Sequence, residues 1–161
     1  MKCFSFIYYS RYTNDPNLHC VLRAGTDGAG ATGIVMGSRG AFGVQIDFES
    51  RRLYWAEYWE NRIRSSNLDG SDLVTLISET FSPYGIAHLG QKIYWGQHFS
   101  GEIRSTSKSG TEIGHEATVG AKMKHLVAPN WNPPRNRVNQ CEQQVCLGVC
   151  VLSRTSFECL P

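Results

Sequence analysis

The sequence predicts an all-β protein made of repeated four-stranded antiparallel sheets, and three observations predict it. Segments of about 40 residues recur along the chain, and their apolar residues alternate or form short runs typical of strands. No helix-period pattern of useful length appears. Four short strands in about 40 residues are typical of one blade of a β-propeller.

The repeat is regular in two units. The segments 53–72, "LYWAEYWENRIRSSNLDGSD", and 93–112, "IYWGQHFSGEIRSTSKSGTE", share an aromatic pair, an Ile-Arg-Ser triplet and a glycine turn. All three features are 40 residues apart in the two segments. A looser copy precedes them, with Tyr8-Tyr9, Leu22-Arg23-Ala24 and Asp27-Gly28 as the corresponding features.

Each unit contains four predicted strands. "GVQIDF" is the first and ends at the polar turn "ESRR", "LYWAE" is the second, and "NRIRSSNL" is the third. Asp69-Gly70 is a strong turn signal, because glycine accepts positive φ without Cβ strain. "LVTLI" is then the fourth strand.

The aromatic pairs have a structural role in this prediction. Neighbouring residues of a strand point to opposite faces, so Tyr54 and Trp55 should fill the gaps on both sides of one blade. A single blade buries too little apolar surface by itself and must be stacked between others. The predicted structural aromatic residues are Tyr8, Tyr9, Tyr54, Trp55, Tyr94 and Trp95.

Composition limits the classes of partner. The chain has 161 residues, a net charge of +2 and scattered basic residues, so we expect no nucleic-acid partner. No apolar run is long enough to span a bilayer, and "MKCFSFIYYS" makes a poor secretory signal. We also expect no cofactor and no metal, because no Cys-x-x-Cys pair is present and the nearest histidine to the cysteine-rich segment is His125.

Four of the six cysteines crowd into residues 141–159. Such crowding in a segment with few aliphatic residues predicts disulfides in place of a core, and hence an oxidising compartment. Cys3 and Cys20 lie apart near the start, and they could pair with each other or with other partners.

The repeated units resemble the YWTD repeats (LDL-receptor class B repeats) of the LDL receptor family. "GVQIDFESRRLYW" and "RIRSSNLDGSD" carry the resemblance, which extends from about Phe6 to Val127. It implies a six-bladed propeller followed by an EGF-like module, and "HLVAPNWNPPRNRVNQC" resembles the segment that joins the two. We therefore expect residues 1–135 to form about three of six blades, the C-terminal half of a propeller. Residues 136–161 would form an incomplete EGF-like module.

The resemblance also implies two disulfides, Cys141–Cys150 and Cys146–Cys159. Arg137 stands where calcium-binding EGF-like modules have an acidic or amide residue, which disfavours calcium. Ala56-Glu57 and Gly96-Gln97 replace the family's Thr-Asp pair, so we expect weaker polar bracing between strands there.

The resemblance implies a function as well: a non-catalytic, extracellular, protein-binding segment of an LDL receptor-related endocytic or signalling receptor. The parent protein would be anchored in the membrane and displayed at the cell surface. In this family ligands bind the propeller's top face, where loops place Tyr58, Trp59, His98 and Phe99 as candidates. The alternative is that Trp59 and Phe99 only pack over their own blades. We also hypothesise that protonation of His98 weakens a ligand contact.

Two other classes of function compete. A matrix linker of the nidogen type uses the same kind of propeller to hold laminin. A propeller hydrolase needs inward-pointing acidic and amide residues around a metal, but the innermost strands supply only Asp47 and His88, at non-equivalent steps. We therefore expect no enzyme.

Overall fold

The structure, a computed structural model, describes residues 6–124, 126, 149–152 and 157–160. Apart from one 3-10 turn at Pro16–Leu18, its regular elements are strands. They are β1 (Phe6–Arg11), β2 (Cys20–Gly25), β3 (Thr32–Met36), β4 (Ala41–Asp47), β5 (Arg52–Glu57), β6 (Arg62–Asn67), β7 (Val74–Ile77), β8 (Pro83–Leu89), β9 (Lys92–Gln97), β10 (Glu102–Ser107), β11 (Ile113–Thr118), β12 (Val149–Leu152) and β13 (Phe157–Leu160).

The first eleven strands form three antiparallel sheets in chain order. The first sheet is β1-β2-β3, the second is β4-β5-β6-β7, and the third is β8-β9-β10-β11. The predicted four-stranded unit is confirmed in the second and third sheets, and β4 and β8 are their first strands. In the first sheet the structure describes three strands, which correspond to the second, third and fourth strands of the other two.

The two residues of the central aromatic pair point to opposite faces, as predicted. Tyr54 packs with Ile86, Ile93 and Trp95 of the third sheet. Trp55 packs with Val21 and Val35 of the first sheet. Apolar side chains in the gaps between stacked sheets therefore form the core.

In the first unit, the predicted alignment of the triplet Leu22-Arg23-Ala24 is wrong by one residue. β2 shifts register between Val21 and Leu22, whereas β6 and β10 shift between Ile63 and Arg64 and between Ile103 and Arg104. Val21, not Leu22, is thus the equivalent of Ile63. The distance along the chain to the turn glycine agrees, because Gly28 follows Val21 by the same interval by which Gly70 follows Ile63.

The repeated turn glycines allow the backbones of neighbouring sheets to approach closely. Gly70 has φ +89°, and a Cβ there would lie 2.1 Å from the carbonyl oxygen of Ile34 in the first sheet. Gly110 has φ +77°, and its Cβ would lie 2.5 Å from the carbonyl oxygen of Leu76 in the second sheet. Only glycine satisfies both the backbone conformation and the close approach.

The cysteine-rich segment is described only in part. β12 and β13 form a hairpin whose backbone register places residue Cys150 opposite Cys159. Cys141, Cys146 and Cys3 lie outside the described residues, so both implied disulfides and the pairing of Cys3 stay predictions. Cys20 is a buried free thiol. The boundary between 135 and 136 also lies outside the described residues, and the described part contains no helix long and apolar enough to cross a membrane.

Candidate interaction surface

The four predicted binding residues lie together at one end of the stacked sheets. Tyr58 and Trp59 come from the β5–β6 loop, and His98 and Phe99 come from the β9–β10 loop. The Tyr58 ring centroid is 4.7 Å from that of Trp59, 6.0 Å from that of His98 and 6.4 Å from that of Phe99. The two loops thus form one continuous surface across the second and third sheets.

Two further aromatic residues belong to this surface and were missed by sequence reasoning. Phe42 at the start of β4 stacks on Tyr84 at the start of β8, with centroids 4.3 Å apart and planes at 9°. The backbones of β4 and β8 approach each other closely there, and a Cβ built on Gly43 would lie 2.8 Å from the backbone nitrogen of Ile86. The sequence did contain a signal, since "AFG" and "PYG" stand at equivalent places in the two units. We call Phe42, Tyr58, Trp59, Tyr84, His98 and Phe99 the aromatic cluster.

Trp59 and Phe99 combine local packing with exposure. The Trp59 ring lies over Gly40, where a Cβ would approach its Cδ1 to 2.3 Å. The Phe99 ring contacts His98 at a centroid distance of 4.9 Å and has the Lys122 ammonium 5.7 Å from its centroid. Even so, 53% of Trp59 and 62% of Phe99 remain exposed. The packed rings hold their exposed edges in a fixed orientation, which suits a binding surface.

His98 is fixed at the centre of the cluster. Its Nδ1 lies 2.6 Å from the carbonyl oxygen of Met123, and its own carbonyl accepts a hydrogen bond from the Met123 amide at 3.1 Å. The neutral ring therefore carries its hydrogen on Nδ1, which donates to Met123. Nε2 is left as the atom that can take up a proton.

A cleft of about 310 Å³ opens beside Phe99, between the β7–β8 and β9–β10 loops. Phe81 and Phe99 stand on its rim, and Phe81 is 78% exposed. Within it, Arg104 Nε donates to Glu102 at 3.1 Å. The cleft extends the exposed aromatic surface with polar groups, an arrangement common at interface rims.

Below the cluster, Glu57 supplies polar bracing in the absence of the Thr-Asp pair. The Glu57 side chain is fully buried and accepts hydrogen bonds from Trp55 Nε1 at 2.9 Å and from Arg62 Nε. Arg64 adds an ion pair at 3.4 Å. The Glu57 side chain is one methylene longer than that of aspartate. Its contacts with Arg62 and Arg64 join β5 to β6.

In the third sheet, neutral groups make the hydrogen bonds at the position equivalent to Glu57. Trp95 Nε1 donates to Thr80 Oγ1 at 2.7 Å, and Gln97 Oε1 accepts from Ser100 Oγ at 3.0 Å. Thr80 lies in the segment that leads into β8. The indole N–H is therefore satisfied in both units but by different partners, the last residue of β5 in the second sheet and a residue before β8 in the third.

The innermost strands place Asp47 and His88 at non-equivalent positions, as the sequence predicted. Asp47 stands opposite Arg52 and His88 opposite Ile93. Asp47 is buried, and Lys108 Nζ of the third sheet donates to its Oδ2 at 2.6 Å, while His88 Nε2 lies 3.7 Å away. Burial alone would raise the pKa of Asp47, but hydrogen bonds from Lys108 and Ser50 outweigh it and lower that pKa to about 2. Among the described residues no three His, Cys, Asp or Glu side chains are placed to hold a metal ion.

Comparisons with known proteins establish the fold. No protein-family model matches the chain. A structure of a nidogen/laminin complex is similar over 73% of this chain and 46% of that chain, with a TM-score of 0.63 and 21% identity. A putative TolB from Agrobacterium tumefaciens matches over 68% and 44%, with a TM-score of 0.57 and 12% identity. Virginiamycin B lyase from Staphylococcus aureus matches over 75% and 42%, with a TM-score of 0.57 and 15% identity.

These similar proteins contain β-propellers, so the three stacked sheets have a partial β-propeller fold. The chain spans less than half the length of each of the three matched chains. Identities of 12–21% show the fold alone.

Proposed function

We propose that this chain is a non-catalytic, extracellular protein-binding segment, and that it belongs to an LDL receptor-related endocytic or signalling receptor. The observation that carries the proposal is the aromatic cluster, with Trp59 and Phe99 exposed by more than half at one end of the sheets. Exposed aromatic rings that are already held in place lose little conformational entropy on binding. The YWTD-like repeats supply the receptor assignment, and the same resemblance implies that the parent protein is anchored in the membrane.

The cluster fits a protein partner better than a small substrate. Its rings form an open surface rather than an enclosed cavity, and the neighbouring cleft is lined by Phe81, Phe99 and the Arg104–Glu102 pair. Lys122 adds a positive charge beside Phe99. Apolar rings surrounded by mixed charges are typical of the centre and rim of a protein interface.

A screen against secreted proteins and cell-surface ectodomains tests this proposal. The full chain is compared with the double variant Trp59→Ser/Phe99→Ser, and with Phe48→Ser as the matched control. Phe48 is an aromatic residue of similar exposure in the β4–β5 turn, at the other end of the sheet. We expect a partner whose affinity falls at least about a hundredfold in the double variant and stays unchanged in the control.

The screen has one result that contradicts the proposal. If every partner binds the double variant as tightly as the unchanged chain, the aromatic cluster is not a binding surface. Circular dichroism and thermal melting of each variant separate loss of binding from loss of fold.

A matrix linker of the nidogen type is the second candidate, favoured by the likeness to the nidogen/laminin complex. Laminin is therefore included as a named probe. Binding of laminin that depends on Trp59 and Phe99 favours the matrix linker. Binding of a cell-surface or soluble ligand through the same residues, without laminin binding, favours the receptor.

A further inference from the structure

The cleft beside Phe99 lies between two sheets that the structure describes. Gln97 and Arg104 are on the same face of the third sheet as Trp95, because Gln97 follows Trp95 by two residues and Arg104 stands opposite it. Trp95 packs on the second sheet. The β7–β8 loop, which joins the second sheet to the third, supplies the other side of the cleft. The cleft therefore belongs to the gap between the second and third sheets and not to an outer face of the stack.

In the second sheet, the chain itself occupies the equivalent position. Strand register makes Gly40 the equivalent of Ser82 and Trp59 the equivalent of Phe99. The Trp59 ring lies over Gly40, where a Cβ would approach Trp59 Cδ1 to 2.3 Å. Ser82 has a Cβ at this place and Phe99 has a smaller ring, and a space of about 310 Å³ stays open beside them. The third sheet thus has a cleft where the second has an indole ring.

The β7–β8 loop that forms the cleft has a strained backbone. Glu79 has φ +63° and Ser82 has φ +42°, in the left-handed region that favours glycine. The equivalent residues before β4 are glycines, Gly37 with φ +71° and Gly40 with φ +65°. The third sheet therefore has side chains at two positions where glycine would be less strained. Strain of this kind is typical of loops that hold a ligand.

Hydrogen bonds hold the same loop in place. The Asn61 carbonyl accepts from the Thr80 amide at 2.8 Å, and Asn61 Oδ1 accepts from the Ser82 amide at 2.9 Å. The Ser82 carbonyl accepts from the His98 amide at 3.0 Å. Phe81 stands between these anchored residues and is nevertheless 78% exposed. The loop therefore presents the phenyl ring to solvent in a fixed position.

The charged residues that line the cleft are Glu79, Glu102 and Arg104. Arg104 Nε donates to Glu102 at 3.1 Å, so these two charges compensate each other. Glu79 forms no ion pair with any residue that the structure describes. The buried residue at the cleft is the neutral Gln97, where the second sheet has Glu57. The cleft thus combines one uncompensated carboxylate with two exposed phenyl rings.

We propose that this cleft binds an arginine side chain of the protein partner, an inference that rests on the proposed function. A guanidinium group is planar, so it stacks on rings such as those of Phe81 and Phe99 while its N–H groups donate to a carboxylate such as that of Glu79. An acidic side chain is disfavoured, because Glu79 repels it and Arg104 is already paired. The aromatic cluster then contacts apolar groups of the partner, and the cleft fixes a charged one.

A nuclear magnetic resonance titration of the full chain with N-acetyl-argininamide tests this recognition without a known partner. We expect saturable shifts of the backbone amides at residues 79–82 and 99–104. N-acetyl-citrullinamide has nearly the same shape and no charge, and it should bind at least about tenfold more weakly. Equal binding of the two probes, or no saturable shift at the cleft, would overturn the proposal. Tighter binding of N-acetyl-glutamate amide would overturn it as well.

Variants of the lining residues locate the binding. Glu79→Gln removes the carboxylate and Phe81→Ser removes one ring, and each should raise the dissociation constant of N-acetyl-argininamide at least about fivefold. Glu112→Gln and Phe48→Ser change exposed residues in turns at the other end of the sheets, and both should bind as the unchanged chain does. Unchanged binding by Glu79→Gln would contradict the proposal. Circular dichroism checks each fold, and if a variant does not fold, the comparison of probes on the unchanged chain still decides.

The chain has arginines of its own outside the described residues, Arg135 and Arg137. The double variant Arg135→Gln/Arg137→Gln is therefore titrated in the same way and should bind the probe as the unchanged chain does. If the probe binds this variant but not the unchanged chain, an arginine of the chain itself fills the cleft, and the assignment to a partner is overturned.

The partner found in the screen separates this inference from the proposed function. Its affinity should fall in Glu79→Gln as well as in Trp59→Ser/Phe99→Ser. A partner that depends on Trp59 and Phe99 but binds Glu79→Gln unchanged would overturn the arginine site and leave the proposed function intact. Saturable binding of N-acetyl-argininamide, without any protein that depends on Trp59, would contradict the proposed function and leave the chemistry of the cleft standing.

Discussion

Lys108 reaches from the third sheet to Asp47 in the second, and its Nζ lies 2.6 Å from Asp47 Oδ2. Asp47 is almost completely buried, and it also accepts hydrogen bonds from the backbone amides of Glu49 and Ser50. One carboxylate therefore fixes the β4–β5 turn and joins two sheets. Because Asp47 is buried, removing Lys108 leaves a carboxylate charge that water does not compensate.

Acid should weaken the fold through Asp47. The pKa of this carboxyl is about 2 in the folded chain against 3.8 as its ordinary value, so folding favours the ionised form. Its contribution to the unfolding free energy is complete above about pH 4 and is lost as the pH falls towards 2. A difference of this size corresponds to about 2 kcal/mol.

Urea unfolding between about pH 7 and pH 2 measures this contribution. Asp47→Asn and Lys108→Met should each lower the unfolding free energy at neutral pH by about 2 kcal/mol or more, and should flatten its acid dependence. Glu112→Gln, an exposed carboxyl in the β10–β11 turn, is the control. Equal acid sensitivity of Asp47→Asn and the unchanged chain would show that another group controls acid unfolding.

The turn glycine of the third sheet should be much less tolerant of alanine than a glycine in an open turn. Gly110→Ala adds strain at φ +77° and places a Cβ 2.5 Å from the Leu76 carbonyl oxygen. Gly120 has φ +69° with no atom within 4 Å of its Cβ position, so Gly120→Ala adds strain alone. We expect losses of about 3 kcal/mol for Gly110→Ala and about 1 kcal/mol for Gly120→Ala. Thermal melting compares the two, and equal losses would show that the close approach costs nothing.

Sequence reasoning predicted the parts of the fold that repeat. The opposite faces of Tyr54 and Trp55 follow from strand geometry, and the Gly70 and Gly110 turns follow from spacing. The triplet of the first unit was misplaced by one residue because the β1–β2 loop is longer than its counterparts, so an alignment through Tyr8-Tyr9 gave no independent position for β2. The interval to Gly28 would have placed Val21 correctly.

Only part of the candidate site could be predicted from the sequence, because only part of it depends on the repeat alone. Tyr58, Trp59, His98 and Phe99 follow the aromatic pairs after two intervening residues in each unit, so their common location depends only on the repeat. Phe42 and Tyr84 come from β4 and β8, and their stacking depends on how closely two sheets approach. The contacts of Glu57 could not be predicted in the same way, because they depend on arginines of the neighbouring strand, which a comparison with Thr-Asp does not include.

His98 should make binding by the aromatic cluster sensitive to pH. The neutral ring donates from Nδ1 to Met123 and lies among Tyr58, Tyr84 and Phe99. Protonation at Nε2 adds a charge at the centre of this apolar surface, which must be desolvated when a partner binds. Affinity for the partner found in the screen should therefore be lower at acidic pH than at neutral pH.

His98→Gln keeps a polar side chain but cannot be protonated, so it should remove most of this pH dependence. His115→Gln, an exposed histidine in β11, is the control and should keep it. The measurement is the partner's dissociation constant for each chain at both pH values. Equal pH dependence in His98→Gln and the unchanged chain would contradict the hypothesis.

Glu57 should be one of the most sensitive positions in the second sheet. Glu57→Ala leaves Trp55 Nε1 without its acceptor and Arg64 without its carboxylate, in a fully buried position. We expect a loss of about 3–5 kcal/mol in unfolding free energy. Glu60→Ala removes an ion pair with Arg39 at 3.3 Å on the surface, and it should cost less than about 1 kcal/mol.

The third sheet suggests how this loss could be recovered. Ser38 stands three residues before Ala41, as Thr80 stands three residues before Pro83, and its buried Oγ has no hydrogen-bond partner. Thr80 accepts from Trp95, and Ser38 already has the equivalent hydroxyl. The added methyl group of Ser38→Thr restricts the rotamers of that hydroxyl, so in a Glu57→Gln background it should hold the acceptor in place for Trp55. We expect Glu57→Gln to cost about 2 kcal/mol and the added threonine to restore about 1 kcal/mol, measured by urea unfolding. If Ser38→Thr lowers stability equally in both backgrounds, the indole has not found the new acceptor, and bracing in the second sheet depends on the arginines instead.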